Sequence, residues 1–374
     1  MNRREAISTG AALAAAAVLP KAARAQTEDP VNVPATVRAL YARALVFDAN
    51  CAPPLSDTLP LPEETLHLVR ASGVTAVKTS LGGLDASFED AVGEIAWFQH
   101  LIELQPQYFM QIREYADFAR AKAMQRFGIL LSFEAVAMLE DKPERIELFR
   151  NLGVRVMQLS YNKASPFGSG VLADPPSGLT ELGRKAVDMM NKQGVAVDIS
   201  HSNSATSIDV LKVSTKPVLI THAGCSAIYE HPRNKSDTLL RAVADKGGVV
   251  GIYDLPYLTP SPKQPTLDDY MAHMTHALNV CGEDHVGIGS DSSLSPWDTS
   301  PKGLAEFQKM VEERKKKGVA APGEDRPMYV VGLNTPRRCE VIADALLKRG
   351  YSERVAEKVL GRNFIEALGR IWQA

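Results

Sequence analysis

The sequence predicts a single α/β domain, a (β/α)8 barrel, on three observations. Short apolar, β-branched runs alternate with helix-period segments, and eight such strand–helix units follow one another. Glycine precedes five of the runs, at Gly73, Gly128, Gly153, Gly194 and Gly247, as helix-to-strand punctuation. Polar residues stand at the carboxyl ends of the runs: Asp48, Lys78, Glu134, Tyr161, His201, His222, Asp254 and Asp291. An open doubly wound sheet fits less well. No GxGxxG follows the first strand and no GxxxxGK[ST] occurs, so dinucleotide and P-loop chemistry have no support.

Residues 1–25 read as an export signal. Arg3 and Arg4 open an alanine-rich apolar run that closes on Ala23-Arg24-Ala25. The run is too short and alanine-rich to anchor the chain in a membrane. Residues 26–43 are a linker and a short helix, Pro34 to Arg43, with proline in its first turn. The barrel domain is 44–374. Its strands are Ala44–Asp48, Gly73–Thr79, Gly128–Phe133, Gly153–Ser160, the run VAVDIS ending at His201, PVLIT ending at His222, Gly247–Ile252 and His285–Ser290. Helices are expected over Glu63–Ser72, Glu144–Leu152, Leu182–Gln193, Asn203–Val213, Thr238–Asp245 and Tyr270–Cys281. A long helical region with interruptions spans Phe88 to Met124, and helices run from Ala305 onward, closing with Val355–Trp372.

Composition narrows the function classes. The chain has 374 residues and a formal net charge of −2, so electrostatics gives no reason to expect nucleic acid or an anionic membrane as partner. Its four cysteines, Cys51, Cys225, Cys281 and Cys339, are far apart with no CxxC pair, which is neither a zinc-finger frame nor a disulfide scaffold.

The chemistry gathers at strand ends. Two consecutive strands each end in a histidine, and neutral imidazole is the commonest metal ligand. With Glu134 they form one carboxylate and two imidazoles, the ligand set of a catalytic zinc that keeps an open position. Each has a plainer alternative: Glu134 can cap the following helix and His201 can donate to a backbone carbonyl. Asp291, in GIGSD, is an N-cap or a proton carrier. Arg233, in HPRN, is a surface arginine or a fork aimed at a substrate carboxylate. His231 reads as scaffolding, and His67, His100, His273 and His276 lie within helices.

These residues resemble the membrane dipeptidase (renal dipeptidase) family of zinc peptidases, an offshoot of the amidohydrolase barrels. The motifs are LLSFE with Glu134, GVRVMQLSYN, VDISH, VLITHAGCSAI, HPRN followed by Asp237, KGGVVGI, HVGIGSD and LGRNF, from about Ala44 to Phe364. The resemblance implies a two-metal site at the barrel mouth that hydrolyses the amide bond of dipeptides. Glu134 matches the bridging carboxylate, and His201 and His222 the histidines of the second metal. Arg233 matches the arginine that holds the substrate's carboxylate, and Asp291 the aspartate near the substrate amine and scissile nitrogen. The first strand departs from the family. Where the family has a DGHND-like stretch, this chain has DANCAP, with Asn50 in place of the histidine and Ala52 in place of the aspartate. Neither is a good zinc ligand. Tyr161 replaces a substrate-facing histidine and can donate to a developing oxyanion.

The expectation is an exported, single-zinc dipeptidase in a bacterial periplasm. Its partners are a dipeptide or related amide and the twin-arginine export machinery, with a homodimer left open. The competing expectations are a catalytically altered periplasmic binding or maturation protein for a peptide-derived metabolite, and a hydrolase of another amide such as an N-acyl amino acid.

Overall fold

The computed structural model describes residues 31–56 and 58–373. The export signal expected over 1–25 therefore lies outside the described residues. Eight parallel strands form the wall: β1 (Phe47–Asp48), β3 (Ala76–Leu81), β5 (Phe127–Phe133), β6 (Val154–Gln158), β7 (Ala196–Asp198), β8 (Val218–Ala223), β9 (Val250–Ile252) and β10 (Val286–Ile288). They pair in that order, and the ring is joined at its seam where Ala49 N–H donates to Ile288 O at 2.9 Å. Above the seam, β2 (Cys51–Ala52) runs parallel to β11 (Ser292–Ser293). All eight expected strands are present.

Helices alternate with the strands: α1 (Ala35–Arg43), α2 (Glu63–Ser72), α3 (Phe88–Leu104), α4 (Ala116–Ala123), α5 (Arg145–Asn151), α6 (Glu181–Gln193), α7 (Ser204–Val213), α8 (Asp237–Asp245) and α9 (Leu267–Cys281). Side-chain caps start several of them. Asn203 accepts from the Thr206 N–H, and Thr266 with Asp269 closes a capping box on α9. Apolar faces such as Leu239, Leu240 and Val243 of α8 then bury against the outward strand positions. None of the described helices is long and apolar enough to cross a membrane.

Two stretches differ from expectation. The helical region from Phe88 to Met124 is interrupted by a short strand, β4 (Phe109–Gln111), which pairs parallel with the lower half of β5. Pro106, just after α3, stops the helix, because proline supplies no N–H and crowds the preceding turn. The C-terminal segment is three pieces: α12 (Glu353–Glu357), a π turn over Lys358–Arg362 and α13 (Asn363–Trp372), preceded by α10 (Pro301–Lys316) and α11 (Arg338–Lys348). At the π turn the backbone lies on β1. A Cβ on Gly361 would sit 2.5 Å from Leu45 O and 2.6 Å from Phe47 N, so only glycine fits.

The barrel interior is layered. The lower rung, Ala76, Leu130, Val156, Ala196, Leu219 and Val249, is apolar and is plugged from below by Phe364, Leu368 and Ile371 of α13. Phe47 meets Phe118 and Phe364 edge-on, with centroids at 5.1 and 6.2 Å. Strand side chains alternate with period two, so the next inward rung is Lys78, Ser132, Gln158, Asp198 and Thr221, all buried. The change from apolar to polar along each strand puts the reactive groups at the carboxyl end.

Candidate metal centre and active site

Glu134 directly follows β5, His201 lies three residues beyond β7, and His222 is within β8. Neighbouring strand ends thus deliver groups far apart in sequence to one place. Their ligand atoms all lie within 4.8 Å of one another, and among the described residues no other cluster of three such groups forms. Both imidazoles are fully buried, whereas the Glu134 side chain keeps 12% exposure.

The hydrogen bonds around these groups set the tautomers. His201 Nδ1 lies 2.8 Å from Asn162 Oδ1, a pure acceptor, so this nitrogen carries the proton and Nε2 presents its lone pair. That Nε2 is 3.8 Å from Glu134 Oε2. His222 Nδ1 lies 2.9 Å from Thr221 Oγ1, which itself donates to Asp198 Oδ2 at 2.6 Å. Thr221 is therefore the acceptor, and His222 Nε2 faces the site without a partner. Ser80 Oγ donates to Glu134 Oε1 at 2.9 Å. Burial, and then the Arg233 charge, hold both imidazoles well below the ordinary histidine pKa, in the neutral form that ligates metals. Gly289 helps to make room: a Cβ there would lie 1.7 Å from Thr221 O, beneath His222.

The donor set fits a divalent ion. One carboxylate and two neutral imidazoles converge, and each imidazole has its outer nitrogen satisfied by an acceptor. A buried His222 Nε2 without a hydrogen-bond partner is costly in a protein interior unless a cation meets it.

Asp291 follows β10 and stands in the left-handed region, φ 54°. An aspartate there is strained by about 1 kcal/mol. The posture is held by its N–H donating to Asn50 O at 2.7 Å, and it turns the carboxylate toward His222 Nε2, 3.9 Å from Oδ2. Oδ1 accepts from Asn50 Nδ2 at 2.8 Å, while Oδ2 is buried and unpartnered. Burial, and then the Glu134 carboxylate, push Asp291 well above the ordinary aspartate pKa, against the opposing charges of Arg233 and Lys78.

Arg233 is 2% exposed, not a surface residue. Its Nη1 lies 2.7 Å from His201 Nδ1 and donates to Nε2 at 2.9 Å, a contact that gives way where Nε2 meets an ion, and its Nε and Nη2 are buried without partners. The Tyr161 ring stacks on His201 with centroids 3.9 Å apart. Its hydroxyl accepts from Arg314 Nη2 of α10 at 3.4 Å, and burial pushes it up to about 12.

All six expected site residues therefore meet at one mouth. Cys51 packs in the apolar core, and all four cysteines are free and buried. His231 is scaffolding, stacked on Tyr257 with Nε2 donating to Pro322 O at 2.7 Å. Sequence reasoning missed Ser80, Asn162, Thr221 and Asp198 as supports. Asn162 carried a faint signal, because it closes the LSYN run at a strand end.

The model of the Membrane dipeptidase (Peptidase family M19) family matches residues 37–315. The chain belongs to this family. Among curated relatives it is 27% identical over 289 residues to Dipeptidase tcpJ of Claviceps purpurea, across 76% of this chain but 61% of that protein's length, less than two thirds. A crystal structure of an amidohydrolase from Pseudomonas aeruginosa superposes with a TM-score of 0.76 at 30% identity, covering 90% of this chain and 99% of that one. A metallo peptidase from Rhodobacter sphaeroides, liganded with a phosphinate mimic of the dipeptide L-Ala-D-Ala, shares the fold with a TM-score of 0.69 at 19% identity, covering 88% and 99%. Membership agrees with the resemblance carried by the strand-end motifs, and the barrel is the expected one.

Proposed function

We propose that this chain is an exported, metal-dependent dipeptidase working with a single zinc ion. The observation that carries the reading is the convergence of Glu134, His201 and His222 within 4.8 Å, with His222 Nε2 buried and unpartnered. These three residues would hold the ion, which supplies Lewis-acid polarisation of an amide carbonyl and eases deprotonation of the attacking water. Asp291 takes the water's proton at Oδ2, its unpartnered oxygen, and passes it to the leaving nitrogen. The unpartnered Nε and Nη2 of Arg233 supply two parallel donors for the substrate's terminal carboxylate. Tyr161, held over His201, donates its hydroxyl proton to the oxygen that gains charge. Asn50, whose side chain is spent on Asp291, supports a count of one ion, since a neutral amide is a poor zinc ligand.

The twin arginines and the AxA site support export through the twin-arginine machinery into a periplasm. The test is elemental analysis of the mature protein beside a panel of L,L and L,D dipeptides. About one zinc per chain with turnover is expected. Zinc without turnover on any dipeptide would point instead to a binding or maturation protein, or to another amide.

A further inference from the structure

Lys78 enters the mouth from β3 and is 1% exposed. Its Nζ donates to Ser132 Oγ at 3.1 Å and to Ser80 Oγ at 3.3 Å, both neutral hydroxyls. Among the described residues, no carboxylate stands within ion-pairing distance of it. A buried ammonium is costly unless negative charge nearby balances it. Glu134 does so through one hydroxyl, and Asp291 through space. Ser80, which accepts from Lys78, donates onward to Glu134 Oε1 at 2.9 Å. Asp291 feels Lys78 as one of the two cations that favour its ionised form, and His222 feels it as a charge that keeps the imidazole neutral.

The mouth thus divides into two sectors. On β5, β7 and β8 stand Glu134, His201 and His222. On the β10, β1 and β3 side stand Asp291, the neutral amide of Asn50 and Lys78, without an imidazole. In the second sector Lys78 is the fixed positive charge.

We propose that Lys78 is a built-in cation on the β10, β1 and β3 side of this site, an ammonium that balances Glu134 and Asp291 and keeps the mouth to one divalent ion. This rests on the reading of Glu134, His201 and His222 as a zinc site. It makes Lys78 a positioning residue, and the predicted sign is opposite to that of a supporting contact. A like charge close to the ion weakens binding, so removing it tightens zinc.

The experiment is competition of the metal-free mature protein with a chromophoric zinc chelator, followed by elemental analysis. Wild type and Lys78→Arg each bind one zinc with affinities within about twofold of each other. Lys78→Met binds zinc about tenfold more tightly. Lys78→Gln keeps a polar side chain without the charge, gives the same tightening, and carries the test if the methionine variant does not fold. Unchanged or weaker zinc binding in both neutral variants overturns the proposal and leaves Lys78 as a contact to Ser80 and Ser132. Failure of the underlying reading looks different: wild type itself then takes up no zinc.

Discussion

Two neighbouring rungs of the barrel interior are equally buried and opposite in character. The lower rung, Ala76, Leu130, Val156, Ala196 and Leu219, is apolar and sealed by α13. Two residues further along the same strands, Lys78, Ser132, Gln158, Asp198 and Thr221 are equally buried but polar. Below, area removed from water supplies stability, roughly 25 cal/mol per Å2. Above, buried dipoles and charges hold reactive groups in place and leave some polar atoms unsatisfied, among them His222 Nε2 and Asp291 Oδ2. One stretch of strand thus serves stability and chemistry on alternate rungs, and substitutions should separate the two.

The largest expected effect is His222→Ala. Zinc content should fall to background and dipeptide turnover below detection, while the thermal midpoint of the metal-free protein stays within a few degrees. A variant that keeps its zinc would break the division. Leu130→Ala, one rung down, should cost about 3 kcal/mol of unfolding free energy by urea titration and leave zinc stoichiometry untouched. Loss of zinc there would mean that the rungs are not independent. Asn162→Ala sharpens the comparison within the upper region. It removes the acceptor of His201 Nδ1–H and should weaken zinc binding about 10- to 100-fold by chelator competition.

The smallest effect comes from a histidine outside both rungs. His273 is fully buried on α9, where Nδ1 accepts from the Cys225 N–H at 2.9 Å and Nε2 donates to Leu258 O at 3.0 Å. Burial lowers its pKa from 6.5 to about 4. The unfolded chain therefore binds this proton first. The stabilising contribution is complete above pH 6.5 and is lost as pH falls toward about 4, with about 1 kcal/mol gone between 6.5 and roughly 5.5. His273→Gln should flatten that segment of a urea-midpoint-against-pH curve.

Much of this was legible in the linear chain because the barrel is built from local units. A β-branched run, a glycine and a helix-period segment each announce themselves within about a dozen residues, and every wall strand was readable in this way. Glu134, His201 and His222 were readable because each stands at or just past a strand end. β4 was not, since its three residues belong to β5 only through pairing. Nor were the roles of Ser80 and Thr221, which depend on partners 54 and 23 residues away. A common serine or threonine in a strand carries no mark of such a partner. Arg233 shows the same limit. Position in a loop suggests exposure, yet the fold turns its guanidinium onto His201.

The seam has a consequence for how the chain comes off the ribosome. Its edges are the first wall strand, β1, and the last, β10, and the π turn around Gly361 lies against β1 from below. Nascent βα units can stack side by side as they emerge, but the circle cannot close until β10 has been synthesised, and its floor is missing until α13 follows. A chain cut short between β10 and about Phe364 loses the plug beneath Phe47 while retaining every proposed zinc ligand. Truncation should therefore yield a ring with an exposed apolar underside rather than a smaller enzyme.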